Sequence, residues 1–202
     1  VQVETDVYRV TFSTRGGTKR SIQLKEHETV DGEPVEMIYS ENEEHGTFDV
    51  LFGDHLSEPV DELFSVRQVD THSWEFSRDF LAPATNGERV PFTLRKTYVF
   101  QPRDYLIELQ VSIENSINEY PALNFDGVAY TLMVGPQIGP EFEKLDGRNE
   151  YRKYFYYADG KRKNAKVPKS GVKELDERAT WTAIAGKYFA LITIPDATMY
   201  NI

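Results

Sequence analysis

Arg89-Val-Pro-Phe-Thr-Leu-Arg-Lys-Thr-Tyr-Val-Phe-Gln-Pro-Arg-Asp-Tyr-Leu-Ile-Glu-Leu-Gln-Val-Ser-Ile-Glu114 is the stretch whose reading decides the fold. Tyr105, Ile107, Leu109, Val111 and Ile113 alternate with Leu106, Glu108, Gln110 and Ser112. Successive side chains of a strand point to opposite faces, so this pattern builds one apolar face and one mostly polar face. Before it, Phe92, Leu94, Tyr98 and Phe100 alternate with Thr93, Arg95, Thr97 and Val99, and Lys96 interrupts the apolar row. Gln101-Pro102-Arg103-Asp104 lies between the two runs and suits a turn, because proline presets the backbone for one. Residues 89–114 are therefore expected to form one long antiparallel hairpin.

The same period of two recurs on both sides. Strands are expected at Asp6–Ser13, Ser21–Leu24, Val35–Tyr39, Thr47–Phe52, Phe64–Asp70, Ser73–Phe80 and Asn124–Val134. Asp159-Gly160 joins Lys153–Ala158 to Lys161–Lys166 and is a favoured pair for a type I′ turn. Gly186-Lys187 is expected as a two-residue turn between Thr180–Ala185 and Tyr188–Ile194, with Pro195 ending the ladder. Helix signals are thin: Pro140–Leu145 is expected to make at most one turn. Ile117–Pro121 and Pro136–Asn149 read as long loops. Many short strands separated by turn residues predict an all-β antiparallel sandwich with little helix. No repeat, low-complexity tract or Gly/Ser-rich linker divides residues 1–202, so a single domain is expected.

Composition narrows the function. A chain of this length buries about 70% of its unfolded surface, and its 40% hydrophobic content is enough to fill that core. The net charge of −10 repels phosphates, so nucleic acid is an unexpected partner, and it would weaken contact with an anionic membrane. Without cysteine there are no disulfides, thiolate metal sites or thiol nucleophile. No run of about 18 apolar residues occurs, so no segment reads as a membrane-spanning helix. No charged leader and apolar stretch open the chain. It starts at Val1 in strand-like sequence, as a piece cut from something longer would.

Motifs for phosphate-binding loops, the nucleophile elbow of hydrolases and the His-Glu-x-x-His zinc helix are all missing. His45 and His55 lie beside Glu43, Glu44 and Asp54, but their spacing demands no metal, and no cofactor is expected. Asp61-Glu62 and the acidic run 41–44 read as solvated loops. One segment differs from its acidic surroundings: Tyr151-Arg152-Lys153-Tyr154-Phe155-Tyr156-Tyr157, followed by Lys161-Arg162-Lys163. Its bland reading is a hairpin with aromatics inside and cations in water. Its sharper reading is a partner surface carried by Arg152, Tyr154, Tyr156, Lys161 and Arg162, because aromatics and arginine are enriched at interface centres. Trp74 and Trp181 read first as core residues and second as stacking platforms for a sugar.

Three segments together resemble a known family. Val3-Glu-Thr-Asp-Val-Tyr-Arg-Val-Thr-Phe-Ser-Thr-Arg-Gly-Gly17, followed by Ile22-Gln-Leu-Lys25, is the first. Leu94-Arg-Lys-Thr-Tyr-Val-Phe100, followed by Asp104-Tyr105 and a strand ending at Asn115, is the second. Trp181-Thr-Ala-Ile-Ala-Gly-Lys-Tyr-Phe-Ala190, leading to Pro195, is the third. Their order and spacing resemble the large periplasmic domain of bacterial YidC-type membrane protein insertases. Glu26–Leu63 and residues 136–178 match that family poorly. The resemblance implies a galactose mutarotase-like supersandwich, truncated at its C-terminal end, on the periplasmic side of the inner membrane and attached to a multi-pass membrane protein. It implies a non-catalytic role in insertion and folding of membrane proteins, with Sec translocon subunits and nascent membrane proteins as partners. The isolated domain is expected to be a monomer. The alternatives are a mutarotase-like enzyme, which would need His72 and a nearby carboxylate as acid and base, and a carbohydrate-binding domain without chemistry. An exposed sheet edge that takes up an extended peptide is a variant of the insertase reading.

Overall fold

The computed structural model describes residues 1–39, 46–84, 87–115, 128–135, 137–139, 151–169, 171–175 and 177–196. Those residues form antiparallel sheets and no helix, as the alternation predicts. The chain divides into two compact units, Val1–Pro136 and Gln137–Ile202. The turn expected at Pro140–Leu145 lies outside the described residues, as do Ile117–Pro121 and most of Pro136–Asn149.

The first unit contains two four-stranded sheets. One has the order β1 (Gln2–Glu4), β2 (Tyr8–Phe12), β3 (Lys19–Glu28) and β4 (Pro34–Glu36), with the short β5 (Ile38–Tyr39) next in the chain. The other runs from β7 (Ser65–Asp70) through β8 (Ser73–Pro83) and β9 (Arg89–Phe100) to β10 (Ile107–Glu114). Between them in sequence, β6 (Asp49–Phe52) pairs with β11 (Tyr130–Met133). The expected hairpin is present: Phe100 faces Ile107 and Thr93 faces Glu114 across β9 and β10. β10 begins two residues later than the alternation suggests, because Tyr105 and Leu106 belong to the connection. Tyr105 nevertheless reaches back, its ring 6.2 Å from that of Tyr8.

The sheets meet through aromatic rings. β2 turns Tyr8, Val10 and Phe12 inward, while β9 turns Val90, Phe92, Leu94, Lys96, Tyr98 and Phe100 inward. The Phe12 ring lies 4.8 Å from Tyr98, 5.0 Å from Phe76 and 6.0 Å from Phe100, in the tilted and edge-on arrangements aromatic pairs prefer. Phe52, Phe80 and Phe92 form a second cluster with centroid separations of 5.1–5.5 Å.

Lys96 corrects the sequence reading. It does not break the apolar row; it stays in it, with no accessible surface. Its Nζ donates to the carbonyl of Gly16 at 3.0 Å and to that of Phe48 at 2.6 Å, so the ammonium ties three distant segments together. Lys19 is buried beside it, its Nζ 4.1 Å from the Phe48 ring and 4.8 Å from the Tyr98 ring. Such ring faces attract a cation. The Tyr98 hydroxyl donates to Gly17 O at 3.0 Å. Gly17 is itself required there: its φ is +57°, and a Cβ would sit 2.9 Å from Phe76 Cβ.

Burial pushes the Lys96 pKa down to about 7, opposed by the charge of Asp49, and burial with the Lys96 charge pushes Lys19 down as well. In the unfolded chain both titrate near the ordinary lysine value. Between about pH 7 and the unfolded value the native state therefore binds fewer protons than the unfolded one, and stability rises with pH. Urea midpoints should increase from pH 7 to pH 9, by about 2 kcal/mol of stability from Lys96 alone. Lys96→Met should flatten that slope while lowering stability at pH 9 by about 1–3 kcal/mol, because two buried carbonyls lose their donor. A slope unchanged in the variant would remove Lys96 as its source.

Candidate interaction surface

The aromatic and basic segment singled out in the sequence folds in the second unit. After the short β12 (Gln137–Ile138), the unit has a four-stranded sheet ordered β14 (Lys161–Ala165), β13 (Lys153–Ala158), β15 (Trp181–Ala185) and β16 (Ala190–Thr193). The β13–β14 turn is as expected. Asp159 and Gly160 both have positive φ, +51° and +73°, as a type I′ turn needs. The second turn is displaced by one residue: Gly186 N donates to Phe189 O at 2.9 Å, so Lys187-Tyr188 forms the tip and Ala185 pairs with Ala190. The pairing differs by two residues from the expected one, which keeps every side chain on its face.

Pairing register then sorts the side chains. Tyr154, Tyr156 and Ala158 share one face with Lys163 and Ala165. That face is partly covered: Tyr156 and Ala158 form a small core with Ala179, joined by Ala165 and Leu175. Lys163 closes its rim with ion pairs to Asp159 at 2.9 Å and to Glu177. Those two carboxylates, Glu177 foremost, raise the Lys163 pKa.

Among the described residues the opposite face is the more open one, with its central side chains half-buried and its border exposed. Across it run the rows Asn164, Phe155, Ala183, Ile192 and Arg162, Tyr157, Trp181. None of these seven residues is buried, and Ile192 is 58% exposed. Tyr157 and Trp181 stack with centroids 5.7 Å apart, and the Arg162 guanidinium lies 4.8 Å from the Phe155 ring. Lys153 is exposed at the end of the same face, beyond Phe155 on β13.

The five residues proposed from sequence are therefore not brought onto one surface. Tyr156 is 8% exposed and packs the small core. Arg152 is half-buried, its Nη1 donating to Tyr151 O at 3.2 Å beside Gly186, where a Cβ would lie 2.7 Å away. Tyr154 and Lys161 reach solvent on the Tyr156 side, and Arg162 reaches it on the open side. Sequence reasoning missed the Phe155, Tyr157, Trp181 and Ile192 face. The Asp159-Gly160 turn could have revealed part of it, because it sets Tyr157 opposite Arg162 and separates Phe155 and Tyr157 from Tyr154 and Tyr156.

Among the described residues no His, Asp and Glu cluster is arranged to hold a metal. His45, Glu43 and Glu44 lie outside the described residues. At His72 the backbone N–H donates to Asp70 Oδ1 at 2.8 Å, an Asx-type turn between β7 and β8. Trp74 is half-buried opposite Tyr98. No described helix is long and apolar enough to cross a membrane.

The geometry is that of an all-β sandwich domain carrying, in its second unit, a sheet with an open, cation-rimmed aromatic face. A family model for the YidC periplasmic domain matches residues 1–201, and the chain belongs to that family. It is 37% identical over 199 residues to the membrane protein insertase YidC of Treponema denticola, a match covering 96% of this chain and 34% of that protein. It is 33% identical over 227 residues to the protein of the same name from Treponema pallidum, covering 96% and 36%. The counterpart from Geotalea uraniireducens is 27% identical over 201 residues, covering 96% and 36%. The chain thus spans about a third of the length of the curated relatives it matches.

The two faces predict opposite mutational outcomes. Tyr156→Ala should destabilise the second unit by about 3 kcal/mol, the usual loss for a buried aromatic. Tyr154→Ala should change stability by less than about 1 kcal/mol. Denaturation followed by near-UV circular dichroism checks both, and equal losses would contradict the face assignment.

Proposed function

We propose that this chain is the periplasmic domain of a membrane protein insertase and works by contact, without catalysing a reaction of its own. The family match over residues 1–201 carries the reading, supported by relatives named membrane protein insertase. In this reading the domain stands on the periplasmic side of the bacterial inner membrane, and Sec translocon subunits and nascent membrane proteins are its partners. The contact region is the second unit, where Tyr154 and Lys161 offer an aromatic ring and a cation to solvent on one side of the sheet and Arg162 stands at its rim. Tyr156 and Arg152 support that surface from within. Exposed tyrosine and arginine supply large contact area and bidentate hydrogen bonding.

Two measurements test this. These 202 residues have no cysteine, so Asp31→Cys, on an exposed turn, is a single label site within them, and any cysteine elsewhere in the whole protein is first replaced by serine. A membrane-impermeant maleimide should label it from the periplasm without lysis; labelling only after lysis would overturn the location. A photo-crosslinking residue at Tyr154 or Lys161 should give adducts with a translocon subunit or a client, whereas the same residue at Arg67 should not. No adduct from any exposed position of the second unit would count against the contact role.

A further inference from the structure

Charge is divided unequally between the two units. Residues 1–136 contain 11 Lys/Arg and 24 Asp/Glu, a net −13, whereas residues 137–202 contain 12 and 9, a net +3. Within 151–169, seven Lys/Arg face a single acid, Asp159. The overall −10 that argues against anionic surfaces therefore conceals a cationic unit. The exposed large apolar side chains of that unit include Ile192 at 58%, Ile194 at 67% and, at the β15–β16 tip, Tyr188 at 70%, with Lys187 Nζ 4.8 Å from its ring.

From these observations we infer that the open face of the β13–β16 sheet docks on a bilayer surface containing anionic phospholipid. The chemistry of the face matches an interfacial zone. Trp181, Tyr157 and Phe155, each half-buried, keep part of their aromatic surface accessible in its middle, and amphipathic rings settle at the headgroup level of a membrane. Ile192 and Ile194 add aliphatic surface on one side. Lys153 and Arg162 border the aromatic rows, where their long stems lie along apolar surface while their charged heads reach phosphates. A basic patch near an anionic leaflet gains attraction from every cation and loses it within a Debye length. The strongly acidic first unit is repelled by the same leaflet, so the attraction is confined to the second. A protein partner would also accept aromatic surface; a basic border and a charge of opposite sign on the remaining chain favour the lipid. Seated this way, the sheet leaves Tyr154 and Lys161, which point to its other side, free for the partner contacts proposed above. The inference rests on that reading only in placing the chain beside a membrane.

The test uses flotation of the 202-residue chain with vesicles of phosphatidylcholine alone and with vesicles in which about a third of the lipid is phosphatidylglycerol. The chain should float with the anionic vesicles, stay behind with the zwitterionic ones, and be released by high salt. Lys153→Glu with Arg162→Glu should lower the apparent affinity about tenfold or more, while Arg67→Glu should leave it unchanged. An environment-sensitive dye on Ile192→Cys should shift to the blue on anionic vesicles alone. These sites are exposed, so far-UV circular dichroism should show an intact fold in every variant. Absence of flotation, affinity unaffected by the double substitution, or an unshifted dye on a bound chain would overturn the inference. None of those results touches the crosslinks at Tyr154 and Lys161, so failure here is distinguishable from failure of the contact role.

Discussion

The inward row of β9 is the constraint on which the first unit depends. Val90, Phe92, Leu94, Lys96, Tyr98 and Phe100 all point one way because a strand has a period of two, and β9 is paired on both sides, by β8 and β10. A one-residue slip would turn the whole row to solvent. The row meets Phe12 and Phe76 at Tyr98, toward its end, and Phe52 and Phe80 at Phe92, toward its start. The first unit therefore has one axis of registration.

Lys96 sits in the middle of that axis and supplies what apolar contacts lack, which is direction. Hydrophobic burial is proportional to area and indifferent to angle. A buried ammonium must find acceptors, and this one finds the carbonyls of Gly16 and Phe48, 80 and 48 residues away in the chain. The φ of Phe48 is +67°, uncommon for a bulky residue, in the same segment that offers its carbonyl to Lys96 and its ring to Lys19. Burial of two lysines opposes stability near neutral pH, while the hydrogen bonds of Lys96 restrict how the surrounding segments can pack.

The two units spend aromatic residues differently. In the first unit Phe12, Phe76, Tyr98 and Phe100 are sealed inside. Among the described residues of the second, only Tyr156 of the aromatics is buried, and Phe155, Tyr157, Trp181 and Tyr188 keep access to solvent. With cations bordering the accessible rings, that distribution is the physical basis on which contact is proposed for the second unit.

What the sequence by itself determined is the class of fold and most of its strands, because alternation is a local property and turns such as Asp159-Gly160 announce their geometry in two residues. The family could be read for a related reason: the segments 3–25, 94–115 and 181–190 lie mostly in strands or their turns, and their order is visible without coordinates. The division of the candidate surface was hidden. Tyr154, Phe155, Tyr156 and Tyr157 are equivalent by composition, and only pairing with β14 and β15, together with cover from Leu175 and Ala179, decides which are buried. Lys96 was hidden in the same way. A lysine in an apolar row looks like an interruption until tertiary structure delivers two carbonyls to its ammonium, and those acceptors lie too far away in the chain for any local pattern to announce them.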